Sequence, residues 1–150
     1  MVSDMKIWVI NGPNINRLGT REPELYGTKT YGELVQYLET AALRLGIEVT
    51  CLQSNHEGVL IDWVQEAGDK ADGLIINGGG YTHTSIALMD AVKSVGKPMV
   101  EVHLTDPFQR EAFRTTSYLS LVADKIIVNK GFDGYIEALE FLIENGRQEI

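Results

Sequence analysis

The stretch GLIINGGGYTHTSIALMDAVKSVGKPMVEV, residues 73–102, decides the fold. Residues 73–76 form a short apolar run, too brief for a helix and closed by Asn77 and three glycines, as a strand buried on both faces should be. Residues 84–95 then follow a helical pattern, with Gly96 after it as a stop and Pro98 just beyond. Residues 98–102 return to the short apolar type. A strand, a helix and a second strand in that order make the two strands parallel.

The same alternation runs outward in both directions. Further strands are predicted at residues 6–10, 48–53 and 125–128, and helices at 31–45, 59–67 and 134–144. In the first helix Leu34, Tyr37, Leu38, Ala41 and Leu45 share a stripe, and Gly46 stops it. The second is expected to end at Gly68, and the last carries Ile136, Leu139 and Ile143 on its core side. The whole order predicts a doubly wound α/β fold of the flavodoxin-like kind: five parallel strands in the order 2-1-3-4-5, with helices on both faces. No repeat, low-complexity tract or linker divides residues 1–150, so one domain is expected. Residues 11–30 exceed an ordinary strand-to-helix loop, and such loops serve as lids or binding loops.

Composition narrows the function. At 44% hydrophobic and 23% charged residues this is an ordinary globular chain. A net charge of -8 argues against a nucleic-acid partner, which would require a basic face, but leaves room for a small anionic substrate. The single Cys51 cannot pair within the chain and reads as a core residue of a protein in a reducing compartment. No apolar run approaches the roughly 20 residues of a membrane span, and the N-terminus has no signal-peptide character, so a cytoplasmic protein without a membrane partner is expected.

In open α/β sheets, ligands bind beyond the carboxyl ends of the strands. There the sequence places Asn11-Gly12-Pro13-Asn14 with Arg21 and Tyr26, Ser54-Asn55-His56-Glu57, Asn77 to His83, and Glu101, His103 and Thr105 followed by Arg110 and Arg114. All three histidines fall at this edge. Gly78-Gly79-Gly80 fits no phosphate-loop pattern, and the histidines lack metal-ligand spacing, so neither cofactor nor metal is expected. Arg110 and Arg114, spaced i, i+4, are expected on one face of a short helix.

Taken in order, Asn11-Gly12-Pro13-Asn14, Leu18 to Pro23, Tyr26-Gly27, Gln53 to Gly58, Tyr81 to Ser85, Glu101 to Leu104, Arg110-Glu111, Phe113-Arg114 and Ser117-Tyr118 resemble the type II 3-dehydroquinate dehydratases over nearly the whole chain. The resemblance implies loss of water from 3-dehydroquinate through an enolate, without cofactor. That chemistry needs a base, an oxyanion stabiliser and an acid around one ring. By similarity Tyr26 is the base, assisted by Arg21, and Asn14 stabilises the enolate. His103 is the acid, oriented by Glu101. Asn77, His83, Leu104, Thr105 and Arg114 are implied to bind substrate, and Asp90 to reach a neighbouring subunit's site in a homo-oligomer of trimers assembling to a dodecamer.

Three positions depart from the family pattern. Gly78-Gly79-Gly80 stands for Pro-Gly-Ala and is expected to loosen the loop around Asn77. Thr105-Asp106-Pro107-Phe108 stands for Ser-Asn, an apolar residue and His, with the Asp106 charge unfavourable unless it points away or pairs with Arg110. Arg17 stands where Leu is common. Competing readings are a flavodoxin-like binding module, a Schiff-base dehydratase using Lys130, and the same site turned to another cyclic polyol acid.

Overall fold

The computed structural model describes residues 5–20, 24 and 27–148. Its sheet has five parallel strands in the order β2-β1-β3-β4-β5. They are β1 (Lys6–Asn11), β2 (Glu48–Gln53), β3 (Gly73–Asn77), β4 (Met99–Val102) and β5 (Lys125–Ile127). The expected flavodoxin-like strand order is the observed one.

Residues alternate across each strand, and the two faces carry separate cores. Ile7 and Val9 of β1, Ile75 of β3, and Val100 and Val102 of β4 pack on one face with helices α1 (Tyr31–Leu45) and α4 (Asp133–Gln148). Ile10, Leu74, Ile76 and Met99 pack on the other with α2 (Glu57–Lys70) and α3 (Ile86–Val95). The helix boundaries follow local chemistry. Thr30 and Glu33 form a reciprocal capping box at the start of α1, and Gly46 ends it in the left-handed conformation (φ 72°). Ser85 caps α3 by accepting from Leu88 N–H, so this helix begins at Ile86 rather than at residue 84.

Other expectations are corrected. Gly68 does not end α2, which runs on to Lys70. A Cβ at Gly68 would stand 2.7 Å from Val95 Cγ1, so the glycine is there for the close approach of α2 to α3. Tyr37 leaves the buried stripe of α1 at 42% exposure, its hydroxyl donating to Asp133 Oδ1. Arg110 and Arg114 do not share a helix. Arg110 follows one 3₁₀ turn, Pro107–Gln109, and Arg114 ends a second, Ala112–Arg114, because Glu111 between them is extended (ψ 151°).

Strands β1 and β3 each run one residue further than expected, to Asn11 and Asn77, which stand opposite each other in the ladder. That pairing brings the loops after β1 and β3 together. Gly12 N–H donates to the Asn77 carbonyl at 2.8 Å, and Gly79 adopts φ 58° against Pro13. Gly78 and Gly79 are thus closely packed, while Gly80 has open space: a Cβ on Gly78 would meet Thr82 Oγ1 at 2.7 Å and Leu119 Cδ1 at 2.9 Å, and one on Gly80 nothing within 4 Å.

Gly68→Ala tests the helix contact. Alanine favours an unconstrained helix interior by about 1 kcal/mol, whereas over-packing costs about 1–3 kcal/mol. Urea unfolding is expected to show a net loss of about 1 kcal/mol, mostly recovered by adding Val95→Ala. A Gly68→Ala protein more stable than its parent would mean the two helices separate freely.

Candidate active site

The carboxyl ends of β1, β3 and β4 surround a cavity of about 120 Å³. Asn14, Asn77, His83, His103, Leu104, Thr105, Arg110 and Arg114 are among its lining. A larger groove of about 980 Å³ opens at the opposite end of the sheet, near Asp72, Pro98 and Asp124; it holds none of the residues predicted at the strand ends, and of the implied site residues only Asp90 of α3.

The strand-four corner is built around one buried charge. Glu101 and His103 are two residues apart and therefore face the same side of the strand line. Glu101 has no solvent exposure, and His103 only 6%. His103 Nε2–H donates to Glu101 Oε2 at 2.5 Å. Ser117 donates to the same oxygen at 2.9 Å and Ser120 to Oε1 at 2.5 Å. Burial pushes the Glu101 carboxyl pKa up, but His103 and the two serines outweigh it and hold the carboxyl below its ordinary value. With Nε2 committed to Glu101, Nδ1 is the imidazole nitrogen left for other chemistry.

Around this pair stand cations and an aromatic wall. His83 Nδ1–H donates to the Thr116 carbonyl at 2.7 Å. Burial lowers the His83 pKa, and the bond to Thr116 offsets this only in part. The Phe108 ring meets His103 and His83 edge-on, at centroid distances of 6.0 and 6.4 Å. Asp106 turns away from the cavity and caps its own 3₁₀ turn, accepting from Phe108 N–H at 3.0 Å. Arg114 is held by Glu111 at 2.6 Å, and both Arg110 and Arg114 line the cavity although no helix aligns them.

The Asn14 backbone is left-handed (φ 71°), and its N–H donates to Asn55 Oδ1 at 3.0 Å. The carbonyls of Leu104 and Thr105 accept from Gly131 and Asn129 N–H, each at 3.1 Å, which fixes the path of this segment past the cavity.

Of the residues predicted from sequence, seven line the cavity together: Asn14, Asn77, His83, His103, Leu104, Thr105 and Arg114. Glu101 stands directly behind His103. Asp90 is exposed on α3 and lines the groove at the far end instead. Arg21 and Tyr26 lie outside the described residues. His56 is exposed at the start of α2, and no group of three metal-ligating side chains forms among the described residues. Lys130 pairs with Glu137 at 2.5 Å and does not line the cavity. Sequence reasoning missed Ser120 and Tyr135. Ser120 sits in a stretch that reads as an ordinary turn, and Tyr135 reads as a core aromatic of a helix.

The family model described as Dehydroquinase class II matches residues 5–143. The 3-dehydroquinate dehydratase of Dinoroseobacter shibae is 53% identical over 136 residues, covering 91% of each chain. Catabolic 3-dehydroquinase 2 of Aspergillus flavus is 50% identical over 139 residues, covering 93% of each. The solved structure of type II dehydroquinase from Butyrivibrio crossotus superposes with a TM-score of 0.92 at 46% identity, covering 94% of this chain and 99% of that one.

The serine clamp on Glu101 has a direct test. In Ser120→Ala one donor to the carboxylate is lost, so the Glu101 carboxyl should titrate at higher pH, followed by its ¹³C signal. Because the folded carboxyl lies below its ordinary 4.5, the stabilisation is complete above that pH and is lost as pH falls through the folded value. The stability gap between parent and Ser120→Ala should therefore close in acid. A carboxyl that titrates at the same pH in both proteins would show that Ser120 does not hold the charge.

Proposed function

This chain belongs to the class II dehydroquinase family, and from that premise we infer that it dehydrates 3-dehydroquinate to 3-dehydroshikimate through an enolate, with Tyr26 as base and His103 as acid. The observation that carries the reading is the buried Glu101–His103 pair opening onto a cavity that Arg110, Arg114, His83 and Asn77 also line.

A proton α to the ketone leaves first, negative charge builds on the carbonyl oxygen, and the β-hydroxyl then departs as water. Tyr26 takes the proton as a phenolate. A free phenol has pKa ~10, so acting near neutrality requires a shift of about 2–3 units, or roughly 3–4 kcal/mol. The Arg21 guanidinium in the same loop supplies a charge of the right sign. Residues 11–30 act as a lid that brings Arg21 and Tyr26 over the cavity and excludes water. Asn14 stabilises the enolate oxygen. His103, oriented by Glu101, delivers the proton from Nδ1 to the departing hydroxyl.

Substrate binding falls to the rest of the cavity. Asn77 and the Leu104–Thr105 segment hold the carboxylate and a hydroxyl, while His83 and Arg114 contact ring hydroxyls. Arg110 adds a second guanidinium beside Arg114, which suits a small anion. Asp90, remote from its own cavity, serves the site of a neighbouring copy in a homo-oligomer, with trimers packed into a dodecamer. The Schiff-base alternative loses support because Lys130 is turned to Glu137.

Purified protein mixed with 3-dehydroquinate should develop the ultraviolet absorbance of a conjugated enone, and no turnover would overturn the reading. Tyr26→Phe should lower kcat by a factor of about 10²–10⁴, the usual worth of a general base, while substrate still binds. Retention of most of the rate would mean that another group is the base. Arg21→Ala should lower the rate and move the ascending, low-pH limb of the pH–rate profile to higher pH, since the phenolate loses its cation. An unmoved limb would dissociate Arg21 from the tyrosine. Borohydride added with substrate should leave the protein unlabelled, and a covalent adduct would restore the lysine mechanism.

A further inference from the structure

A line of side-chain hydrogen bonds runs behind the cavity, and its direction is set at both ends by backbone groups. Gly79 N–H can only donate, and it donates to one atom of the Asn77 amide at 3.2 Å, so that atom is Oδ1. The other atom is then Nδ2, which donates to the Tyr135 hydroxyl at 3.0 Å. The hydroxyl has one hydrogen, and it goes to Asn11 Oδ1 at 2.6 Å. Asn11 Nδ2 in turn faces the Leu52 carbonyl, a pure acceptor, at 3.4 Å. Each bond is consistent with its neighbours, and reversing an amide would set like groups together, N–H against N–H at Gly79 or oxygen against oxygen at Leu52.

The residues are enclosed as well as connected. Asn11 and Tyr135 have no exposure and Asn77 only 4%. Burial pushes the Tyr135 phenol pKa upward, so the hydroxyl keeps the hydrogen it gives to Asn11.

We propose that Tyr135 is a positioning residue for substrate: by accepting from Asn77 Nδ2 it holds, together with Gly79 N–H on Oδ1, the amide that donates into the cavity. The proposal rests on the reading of Asn77 as a substrate-binding residue. With Tyr135 in place, the second Nδ2 hydrogen is the donor left to a carboxylate or hydroxyl oxygen of the ligand. Without the Tyr135 hydroxyl, Asn77 Nδ2 loses a buried partner, and Gly79 N–H alone is left to hold the amide.

Tyr135→Phe removes one oxygen and keeps the ring in the core. It should raise KM for 3-dehydroquinate about tenfold, the value of one buried hydrogen bond, with kcat changed less. Asn77→Ala should raise KM by a similar or larger factor, and the double variant should be no worse than Asn77→Ala alone. Asn11→Ala leaves the Tyr135 hydroxyl in place but releases its hydrogen, and should raise KM by a smaller factor; it carries the test if Tyr135→Phe does not fold. Unchanged KM in a folded Tyr135→Phe, or KM effects of Tyr135→Phe and Asn77→Ala that simply multiply, would overturn the proposal and leave Tyr135 a structural core residue. The Asn77 side-chain NH₂ resonances supply a second readout without substrate: the hydrogen bonded to Tyr135 should shift upfield in Tyr135→Phe as it loses its acceptor, and unshifted signals would also overturn it. Parent turnover tests the functional reading separately, because a parent that leaves 3-dehydroquinate unchanged would fail that reading whatever the amide signals show.

Discussion

A carboxylate with no access to water organises this molecule. Burying an isolated charge costs several kcal/mol even after relaxation, so Glu101 can remain ionised only if its oxygens are satisfied. Three donors meet that requirement: His103 Nε2–H and Ser117 on one oxygen, and Ser120 on the other. The arrangement works in both directions. The donors keep the charge in place, and the charge fixes the orientation of His103 and which of its nitrogens faces the cavity. The segment bearing the serines must fold back over β4 to deliver them, so the 3₁₀ turns after β4 and the position of the histidine depend on the same interaction.

The parallel sheet supplies the rest by geometry. Strands running the same way bring all their carboxyl ends to one edge, and in-register pairing of Asn11 with Asn77 sets two amides side by side there. Close packing of Gly12, Gly78 and Gly79 lets two loops touch through their backbones, which turns a sheet edge into a narrow cavity. Helix α4, from the far end of the chain, contributes the Tyr135 hydroxyl that joins both asparagines. The cavity is therefore preorganised by groups from β1, β3, β4 and α4, as electrostatic catalysis requires.

Much of this was legible in the sequence because its signals are local. Short apolar runs, caps and stop glycines define the elements, and strand order follows from their succession. The alternation rule alone puts Glu101 beside His103. Misreadings arose where tertiary contact overrides a local signal. Gly68 resembles a helix stop, yet it is a contact with Val95. Arg110 and Arg114 have helical spacing, yet Pro107 starts one 3₁₀ turn and extended Glu111 separates it from the next. Ser120 and Tyr135 escaped because nothing in a single sequence says that residues 19 and 58 positions away from Glu101 and Asn77 will bond to them. Tyr26 and Arg21 were legible only through family resemblance.

The central claim is the proposal that His103, held in place by the Glu101 carboxylate, serves as the acid. Glu101→Gln keeps the size of the side chain and its acceptor oxygen but removes the charge, so kcat on 3-dehydroquinate measured beside KM tests the claim most directly. The account predicts a fall in kcat of about a hundredfold or more, within the usual range for general acid catalysis, with KM little altered. A Glu101→Gln enzyme that keeps kcat within twofold of the parent would contradict it.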